Sequence, residues 1–263
     1  MKKSKRVVII SDLHCGHRAG LTPPGWQYSS DSSDEGRQLF SKLQQSQWDW
    51  FSKKIKALDK IDVLIINGDA VDGKGERSGT TEQLEPDFFK QADMAVEVVN
   101  FIKPTKTIMT YGTPYHTGQG EDVESIIAKE VDADIKGHQF VNINGVIFDI
   151  KHKVGSSTVP HGRYTPIARE GLWNDLWSLE ENGQPRSNVL IRSHVHYFSC
   201  VMNSTRLAMT TPALQGFGSK YGTRQCSGIV DIGFIHFDIE QEGYTWEHHR
   251  YTADVLKAQI LQA

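Results

Sequence analysis

Acidic and histidine side chains stand at the ends of several apolar runs in this 263-residue chain, and both residue types bind divalent metals. Asp12 and His14 are the first pair, directly after the apolar run at residues 7–10. Side chains two residues apart at the end of a strand point to the same side of the backbone. A carboxylate and an imidazole placed in this way can hold a divalent ion.

Four later segments repeat this pattern. In chain order, their candidate residues are Asp69 after Gly68, Thr113 and His116 after Gly112, His152, and the pair His194 and His196. Each segment alone discriminates little, because such short patterns arise by chance. Five such segments, each at the end of a predicted strand, rarely arise together by chance. Ligands of α/β sheets bind beyond the carboxyl ends of strands, so the segments together predict one site.

The elements that must position these residues follow from the hydrophobic pattern. Five apolar runs predict buried strands: Val7–Ile10, Val63–Ile66, Thr107–Tyr111, Val146–Ile150 and Val189–Ile191. Apolar spacing predicts helices at Gly36–Leu58, Pro86–Ile102 and Asp122–Val131, with Pro86 in a first helical turn. Strands and helices alternate in the first half, which indicates α/β layering, and the second half is richer in strands. No boundary stands out, so we expect a single domain over residues 1–263.

Composition and charge narrow the class of protein. A hydrophobic content of 38% and a net charge of -3 are typical of a soluble globular protein and indicate no basic nucleic-acid-binding surface. Cys15, Cys200 and Cys226 form no Cys-x-x-Cys pair, so we expect no disulfide framework and a cytoplasmic location. Cys15 is either a ligand or a small filler, and the hard oxygen ligands nearby favour the filler. No apolar run approaches a membrane span.

At this point the order of the motifs resembles that of the calcineurin-like metallophosphoesterase family, over roughly residues 6–200. The family pattern is Asp-x-His, Gly-Asp, Gly-Asn-His-Asp/Glu, a lone His and Gly-His-x-His. This sequence departs from it in two places. Ser193 replaces the glycine of the last motif, and Thr113 stands where the family has its metal-binding Asn, with the histidine three residues later at His116.

The resemblance implies a four-layer αββα sandwich of two mixed sheets flanked by helices. It also implies a site for two divalent ions, with Mn²⁺ expected first and Fe, Zn²⁺, Co²⁺ or Ni²⁺ as alternatives. Asp12, His14 and His196 would bind one ion, Asp69 would bridge, and His152 and His194 would bind the other, completed by Thr113. The implied activity is hydrolysis of a phosphate ester by in-line attack of a hydroxide that bridges the ions, and we expect a phosphodiesterase that acts on a nucleotide-like or other small ester.

Several assignments stay open at this level. His116 is a candidate general acid, a missing metal ligand or a structural residue, while His17 and Arg163 are candidate substrate contacts. Asp72 is expected to hydrogen-bond a ligating imidazole or nearby backbone. Alternative functions are a DNA or RNA nuclease, a phosphomonoesterase, and a non-catalytic metal-binding interaction module. Residues 16–34, 73–85 and 153–170 are the expected pocket loops.

Histidine and tryptophan residues outside these motifs receive simpler assignments. The alternating pattern near the end of the chain places His236, His248 and His249 on a solvent-facing surface. Trp173 and Trp177 have helical spacing, which predicts core residues in preference to a surface for base stacking.

Overall fold

The computed structural model describes residues 3–75, 79–117, 122–219, 230–241, 243–253 and 262. The strands in chain order are β1 Lys5–Ile10, β2 Val63–Asn67, β3 Lys106–Thr110, β4 Ala133–Lys136, β5 His138–Ile143, β6 Val146–Lys151, β7 Val189–Arg192, β8 Ser199–Met202, β9 Leu207–Thr210, β10 Ile232–Ile239 and β11 Tyr244–Tyr251. The helices are α1 Glu35–Ala57, α2 Phe88–Ile102, α3 Pro114–Thr117, α4 Val123–Glu130 and α5 Tyr164–Trp177. Cys226 lies outside the described residues, as does part of the expected loop at 73–85.

The strands form two mixed sheets. The first has six strands in the order β11-β10-β1-β2-β3-β4; β1 to β4 run parallel, and β10 is antiparallel to both of its neighbours, β1 and β11. The second has five strands in the order β5-β6-β7-β9-β8, with β6, β7 and β9 parallel. The carboxyl ends of the parallel strands carry the segments that the sequence singled out.

Successive side chains of the buried strands point to opposite faces of the sheet, and the two faces contact different layers of the fold. In β1, Val8 and Ile10 pack with the apolar residues of α1, α2 and α4, whereas Val7 and Ile9 pack against residues of the second sheet. On the outer face of the second sheet, Ile167 of α5 packs on Leu190. The order of layers is therefore helices, sheet, sheet, helix. The expected α/β fold with two mixed sheets flanked by helices is confirmed.

Aspartates begin three of the helices. The carboxylates of Asp34, Asp87 and Asp122 accept hydrogen bonds from backbone N–H groups in the first turns of α1, α2 and α4. Such caps satisfy N–H groups that have no partner within the helix. Pro86 was predicted in a first helical turn, but it precedes the cap Asp87, so that detail is wrong.

The predicted core assignment of Trp173 and Trp177 is wrong. Both lie on α5, which the sequence pattern did not predict, and they are 51% and 50% exposed. The buried face of α5 carries Ile167 and Gly171 instead. The i, i+4 spacing was correct for a helix, but it could not show which face meets the sheet. Among the described residues, no helix is long and apolar enough to cross a membrane.

Candidate metal centre

The six predicted metal ligands meet at one edge of the two sheets. Asp12 and His14 follow β1, Asp69 follows β2, His152 follows β6, and His194 and His196 follow β7. They form two groups, each with donor atoms within 4.8 Å of one another: Asp12 with His14 and His196, and Asp69 with His152 and His194. Every group combines residues from both sheets. The two groups contain the residues that we expected for the two ions. The one difference is that Asp69, expected to bridge the ions, belongs to the second group.

The first group is fully buried. His14 Nε2 lies 3.3 Å from His196 Nε2, and His196 Nε2 lies 3.2 Å from Asp12 Oδ1. Two imidazole nitrogens and one carboxylate oxygen therefore converge on one point. Imidazole with carboxylate suits Mn²⁺, Fe, Co²⁺, Ni²⁺ and Zn²⁺ alike.

The second group is centred on Asp69. Its Oδ2 lies 3.0 Å from His152 Nε2 and 3.9 Å from His194 Nδ1. Its Oδ1 accepts hydrogen bonds from the Thr113 N–H at 2.6 Å and from the Thr113 hydroxyl at 3.2 Å. Thr113 thus holds the Asp69 carboxylate in this structure, and its expected role as a ligand stays a prediction.

One hydrogen bond joins the two groups directly. The backbone N–H of His194 donates to Asp12 Oδ2 at 3.3 Å. A residue of the second group therefore contacts a carboxylate of the first. The bridging role expected of Asp69 stays a prediction, because the Asp69 contacts described above are with the second group and Thr113.

The backbone at the site is left-handed at most of the predicted ligands. The φ angles are 48° at Asp12, 44° at His14, 50° at Asp69, 75° at His194 and 54° at His196. L-residues pay about 1–2 kcal/mol each for this conformation, so surrounding contacts must impose it. Asp12 and His14 lie beyond the end of β1 at Ile10. Their convergence therefore comes from left-handed residues, and the strand alternation we expected to align them is not the cause.

Two glycines allow the segments to approach each other. A side chain at Gly68, where φ is +77°, would place its Cβ 2.5 Å from His152 Nδ1. A Cβ at Gly112 would overlap the carboxylate and backbone of Asp69. The site therefore needs glycine at both positions, for close approach and, at Gly68, for backbone conformation.

The buried carboxylates are ionised through their histidine neighbours. Burial opposes ionisation of Asp12, but the neighbouring His196 imidazole lowers its pKa to about 2. Burial likewise opposes ionisation of Asp69, and His152 lowers its pKa well below the usual value. Burial depresses the pKa of His14 to about 4, assisted by His116. Ionised carboxylates and neutral imidazoles are the forms that bind metals.

Several nitrogen and oxygen atoms of these groups that could bind a metal make no hydrogen bond to any described residue. They are Asp12 Oδ1, His14 Nδ1 and His152 Nε2, all buried. Asp12 Oδ1 lies 3.2 Å from His196 Nε2, and His152 Nε2 lies 3.0 Å from Asp69 Oδ2, so a neighbouring ionisable group is close to each of these two atoms. Buried polar atoms without partners are costly. Carboxylate and imidazole atoms that face one another without hydrogen bonds, mostly on strained backbone, fit a site that holds cations.

His116 and Asp72 lie beside the first group. The His116 ring meets the His14 ring edge-on, with centroids 4.5 Å apart, and its Nδ1–H donates to the Asp72 carbonyl at 2.6 Å. Asp72 Oδ1 lies 3.5 Å from His14 Nδ1, in the position expected of a carboxylate that orients a ligating imidazole. With Nδ1 protonated, a neutral His116 keeps its lone pair on Nε2. These contacts leave both the acid and ligand roles of His116 open.

Glu124 was missed by the sequence analysis. It is buried at the start of α4, where Oε1 accepts from the Ala70 N–H at 2.9 Å and Oε2 from the Gly112 N–H at 2.7 Å. The carboxylate therefore joins the loop that carries Asp69 to the loop that carries Thr113. Burial, and then the charge of Asp69, raises the pKa of Glu124 to about 7. No short motif marks Glu124, because its partners are backbone atoms distant in sequence.

The two expected substrate contacts differ in their surroundings. His17 is 4% exposed, accepts from the Ala19 N–H at 3.0 Å and lies 3.7 Å from Glu82, and its substrate contact stays a prediction. The Arg163 guanidinium lies 4.7 Å from the ring centre of Tyr197, the residue after His196. Its buried Nε makes no hydrogen bond within the described residues. Arg163 therefore remains a candidate.

Cys15 is also accounted for by local packing. It is buried, its thiol donates to the Leu21 carbonyl at 3.5 Å, and it belongs to neither ligand group. Burial raises its pKa, which disfavours the thiolate that a metal would need. The filler assignment agrees with these contacts.

The fold and the site together define an α/β protein of two packed sheets with paired Asp/His groups at one edge. Among solved structures, the chain is similar to the zinc complex of Vps29 from Entamoeba histolytica, with 13% identity, a TM-score of 0.49, and coverage of 93% of this chain and 92% of that one. It is also similar to a novel archaeal phosphodiesterase, with 12% identity, a TM-score of 0.48, and coverage of 93% and 99%. No family model and no curated protein matches the sequence. At this level of identity the likeness concerns the fold alone.

Proposed function

We propose that this protein is a metal-dependent phosphoesterase that hydrolyses a small, nucleotide-like phosphodiester. The observation that carries the proposal is the pair of Asp/His groups that combine residues from both sheets, with every member except His194 buried and every member except His152 on left-handed backbone. Asp12, His14 and His196 would hold one divalent ion, and His152, His194 and Asp69 the other. Bound divalent ions lower the pKa of water and neutralise phosphoryl oxygens.

The remaining residues of the site have separate tasks in this proposal. Asp72 orients His14 through its Nδ1 and fixes the His116 tautomer through its carbonyl. His116, when doubly protonated, donates a proton to the leaving oxygen of the ester. Arg163 binds a phosphoryl oxygen through its guanidinium group. Thr113 and Glu124 hold the Asp69 loop in place.

The test is hydrolysis of a generic aryl phosphodiester by the purified protein with Mn²⁺, compared with Asp69→Asn and His116→Asn. We expect Asp69→Asn to remove activity and to lower the bound metal. We expect His116→Asn to lower kcat about 100-fold or more while metal content is unchanged, since general acids contribute about 10²–10⁴-fold. Loss of one metal equivalent in His116→Asn would instead make His116 a ligand.

Substrate class is tested on the same sample with an aryl monoester, cyclic nucleotides and single-stranded DNA. Preference for the monoester or for DNA would replace the diesterase assignment with phosphomonoesterase or nuclease. The matched control is His138→Gln, which changes a histidine paired with Asp149 at 2.7 Å outside both groups. No turnover with several metals and all substrates would contradict the proposal.

A second function is favoured by one feature of α5. Leu172, Trp173, Leu176 and Trp177 are all exposed on this helix, and large exposed apolar patches commonly contact partners. A non-catalytic metal-binding interaction module would use such a surface. It would bind metal at the site without hydrolysing any ester, which the screen above distinguishes.

A further inference from the structure

A second histidine cluster lies on β10 and β11, on the face of the first sheet that packs against α1. His236 pairs with Glu247 in register, and Phe234 pairs with His249, so all four side chains share this face. His236 and His249 are 8% and 6% exposed. The surface location predicted for them is wrong, because α1 and its neighbours cover this part of the sheet.

The two imidazoles are in direct contact. His236 Nδ1 lies 2.7 Å from His249 Nε2, and His249 Nδ1 lies 3.6 Å from Glu247 Oε1. His249 Nδ1 is buried and makes no hydrogen bond to any described residue. One donor atom from each of the three residues lies within 4.8 Å of the other two. On the other side of the His236 ring, Asp238 Oδ2 lies 3.7 Å from Nε2, and Arg6 binds both carboxylate oxygens of Asp238, so Nδ1 is the nitrogen of His236 that can ligate.

The charge states of the cluster favour a cation. Burial lowers the pKa of His249 to about 4 and also lowers that of His236, so both rings are neutral at physiological pH. Other charged groups that act on these two rings are Asp238, Arg6, Lys54 and His248. Glu247 has a side chain that is 62% exposed, so it can turn toward the rings. Two neutral imidazoles and a carboxylate form a common zinc-binding set.

We propose that His236, His249 and Glu247 bind one Zn²⁺-type ion that fastens the edge strand β11 to β10. Ligand nitrogens about 2.0–2.1 Å from a tetrahedral Zn²⁺ are ~3.3 Å apart, so the 2.7 Å contact must open slightly. A plain hydrogen bond between two neutral rings explains that contact as well. It gives the nearby Glu247 carboxylate no role, whereas an ion held by His236 Nδ1 and His249 Nε2 gives it one and leaves the proton of His249 on Nδ1, 3.6 Å from Glu247 Oε1.

The test counts Zn²⁺ equivalents in the full-length protein after chelator treatment and Zn²⁺ titration, by calorimetry with elemental analysis. The variants are Glu247→Ala, His249→Gln and, as the matched control, His248→Gln. His248 is adjacent in sequence but faces the space between the sheets, where its ring packs on Phe198. Glu247→Ala changes an exposed side chain and retains the fold.

We expect wild type and His248→Gln to bind one more Zn²⁺ equivalent than His249→Gln, and Glu247→Ala to bind this ion at least tenfold more weakly. Hydrolysis with Mn²⁺ is unchanged in Glu247→Ala and His249→Gln, because neither residue belongs to the candidate metal centre. Equal Zn²⁺ equivalents and affinities in wild type, Glu247→Ala and His249→Gln overturn the proposal. Loss of the ion in His248→Gln overturns it as well.

Discussion

A metal ion at the candidate centre would have to displace a proton from His152. Burial disfavours its imidazolium, but Asp69 and then Asp12 outweigh burial and raise its pKa to about 10. Its Nδ1–H donates to the Asn67 carbonyl at 2.6 Å, so the displaced proton is the one on Nε2, facing Asp69. Because a metal binds only the neutral imidazole, metal binding and protonation compete at this residue.

Metal binding is therefore expected to release about one proton from His152 at neutral pH. Affinity should fall by roughly tenfold for each unit by which the pH is lowered below the pKa of His152. Calorimetry with Mn²⁺ in two buffers of different ionisation enthalpy measures the release. His152→Gln should abolish it and weaken binding, while the His138→Gln control should retain both. An affinity independent of pH would contradict the assignment of His152 as a ligand.

The sequence predicted which residues would meet at the site, but it did not predict how they are held. Asp12, Asp69 and His196 could be found because each follows an apolar run that becomes a buried strand. The roles of Asp72 and Glu124 depend on which loops lie side by side, and that is decided by packing across the sheets. The left-handed backbone at the ligands has only a weak signature in a single sequence, because Asp and His adopt it more often than most residues but seldom enough that no single position could be predicted.

At the scale of elements, the strand ends below the ligands are joined by buried polar side chains. Asn67 Nδ2 donates to Ser193 Oγ at 2.6 Å, and Thr110 Oγ1 donates to Asn67 Oδ1 at 2.7 Å. Ser193 and Ser11 each lie within hydrogen-bonding distance of Thr211 Oγ1, at 2.6 and 2.7 Å. This series of hydrogen bonds crosses from the first sheet to the second. Ser11, Asn67 and Ser193 directly precede segments that carry predicted ligands. The hydrogen bonds among these side chains therefore fix the relative positions of the segments.

Ser193, which stands where the resembled family has glycine, is expected to act as a positioning residue. Ser193→Ala removes the nearer of two acceptors of Asn67 Nδ2, the other being the Lys151 carbonyl at 3.3 Å, and should cost about 1–3 kcal/mol of stability. It should also weaken metal binding roughly tenfold or more, as changes behind ligands do. Denaturant unfolding and metal titration measure the two effects.

The control for this prediction is Ser187→Ala, at the opposite end of β7. Ser187 is also buried, and its hydroxyl donates to Asn174 Oδ1 at 2.9 Å. Its loss should cost comparable stability and leave metal affinity unchanged. Equal metal affinity in both variants would show that Ser193 has a structural role alone.

Helices were predictable where one face is apolar and an aspartate begins the helix. α1, α2 and α4 meet both conditions, and their predicted bounds differ from the observed ones by one or two residues. α5 meets neither: no side chain caps it, and its apolar residues lie on both the buried and the exposed face. Strands were found from their apolar runs, but their order in two sheets depends on long-range pairing.

At the scale of the whole molecule, the candidate site spans the interface between the two sheets. The core between them includes Phe148 of β6 and Phe237 of β10, whose rings meet edge-on with centroids 5.3 Å apart. Each ligand group draws residues from both sheets. A bound ion therefore links the sheets at one edge while the apolar core joins their faces. Metal binding and global stability should be coupled.

Metal removal is therefore expected to lower the melting temperature of the whole chain. An ion at 100 times its Kd stabilises the folded state by about 2.7 kcal/mol. For a chain of this size that corresponds to a Tm shift of roughly 5–10 °C between saturating Mn²⁺ and excess chelator. Asp69→Asn should lose most of this shift, because its carboxylate contacts ligands contributed by the second sheet. Glu247→Ala should keep the full Mn²⁺ shift. A shift of equal size in wild type and Asp69→Asn would place the stabilising ion elsewhere, since only an ion held by Asp69 depends on that carboxylate.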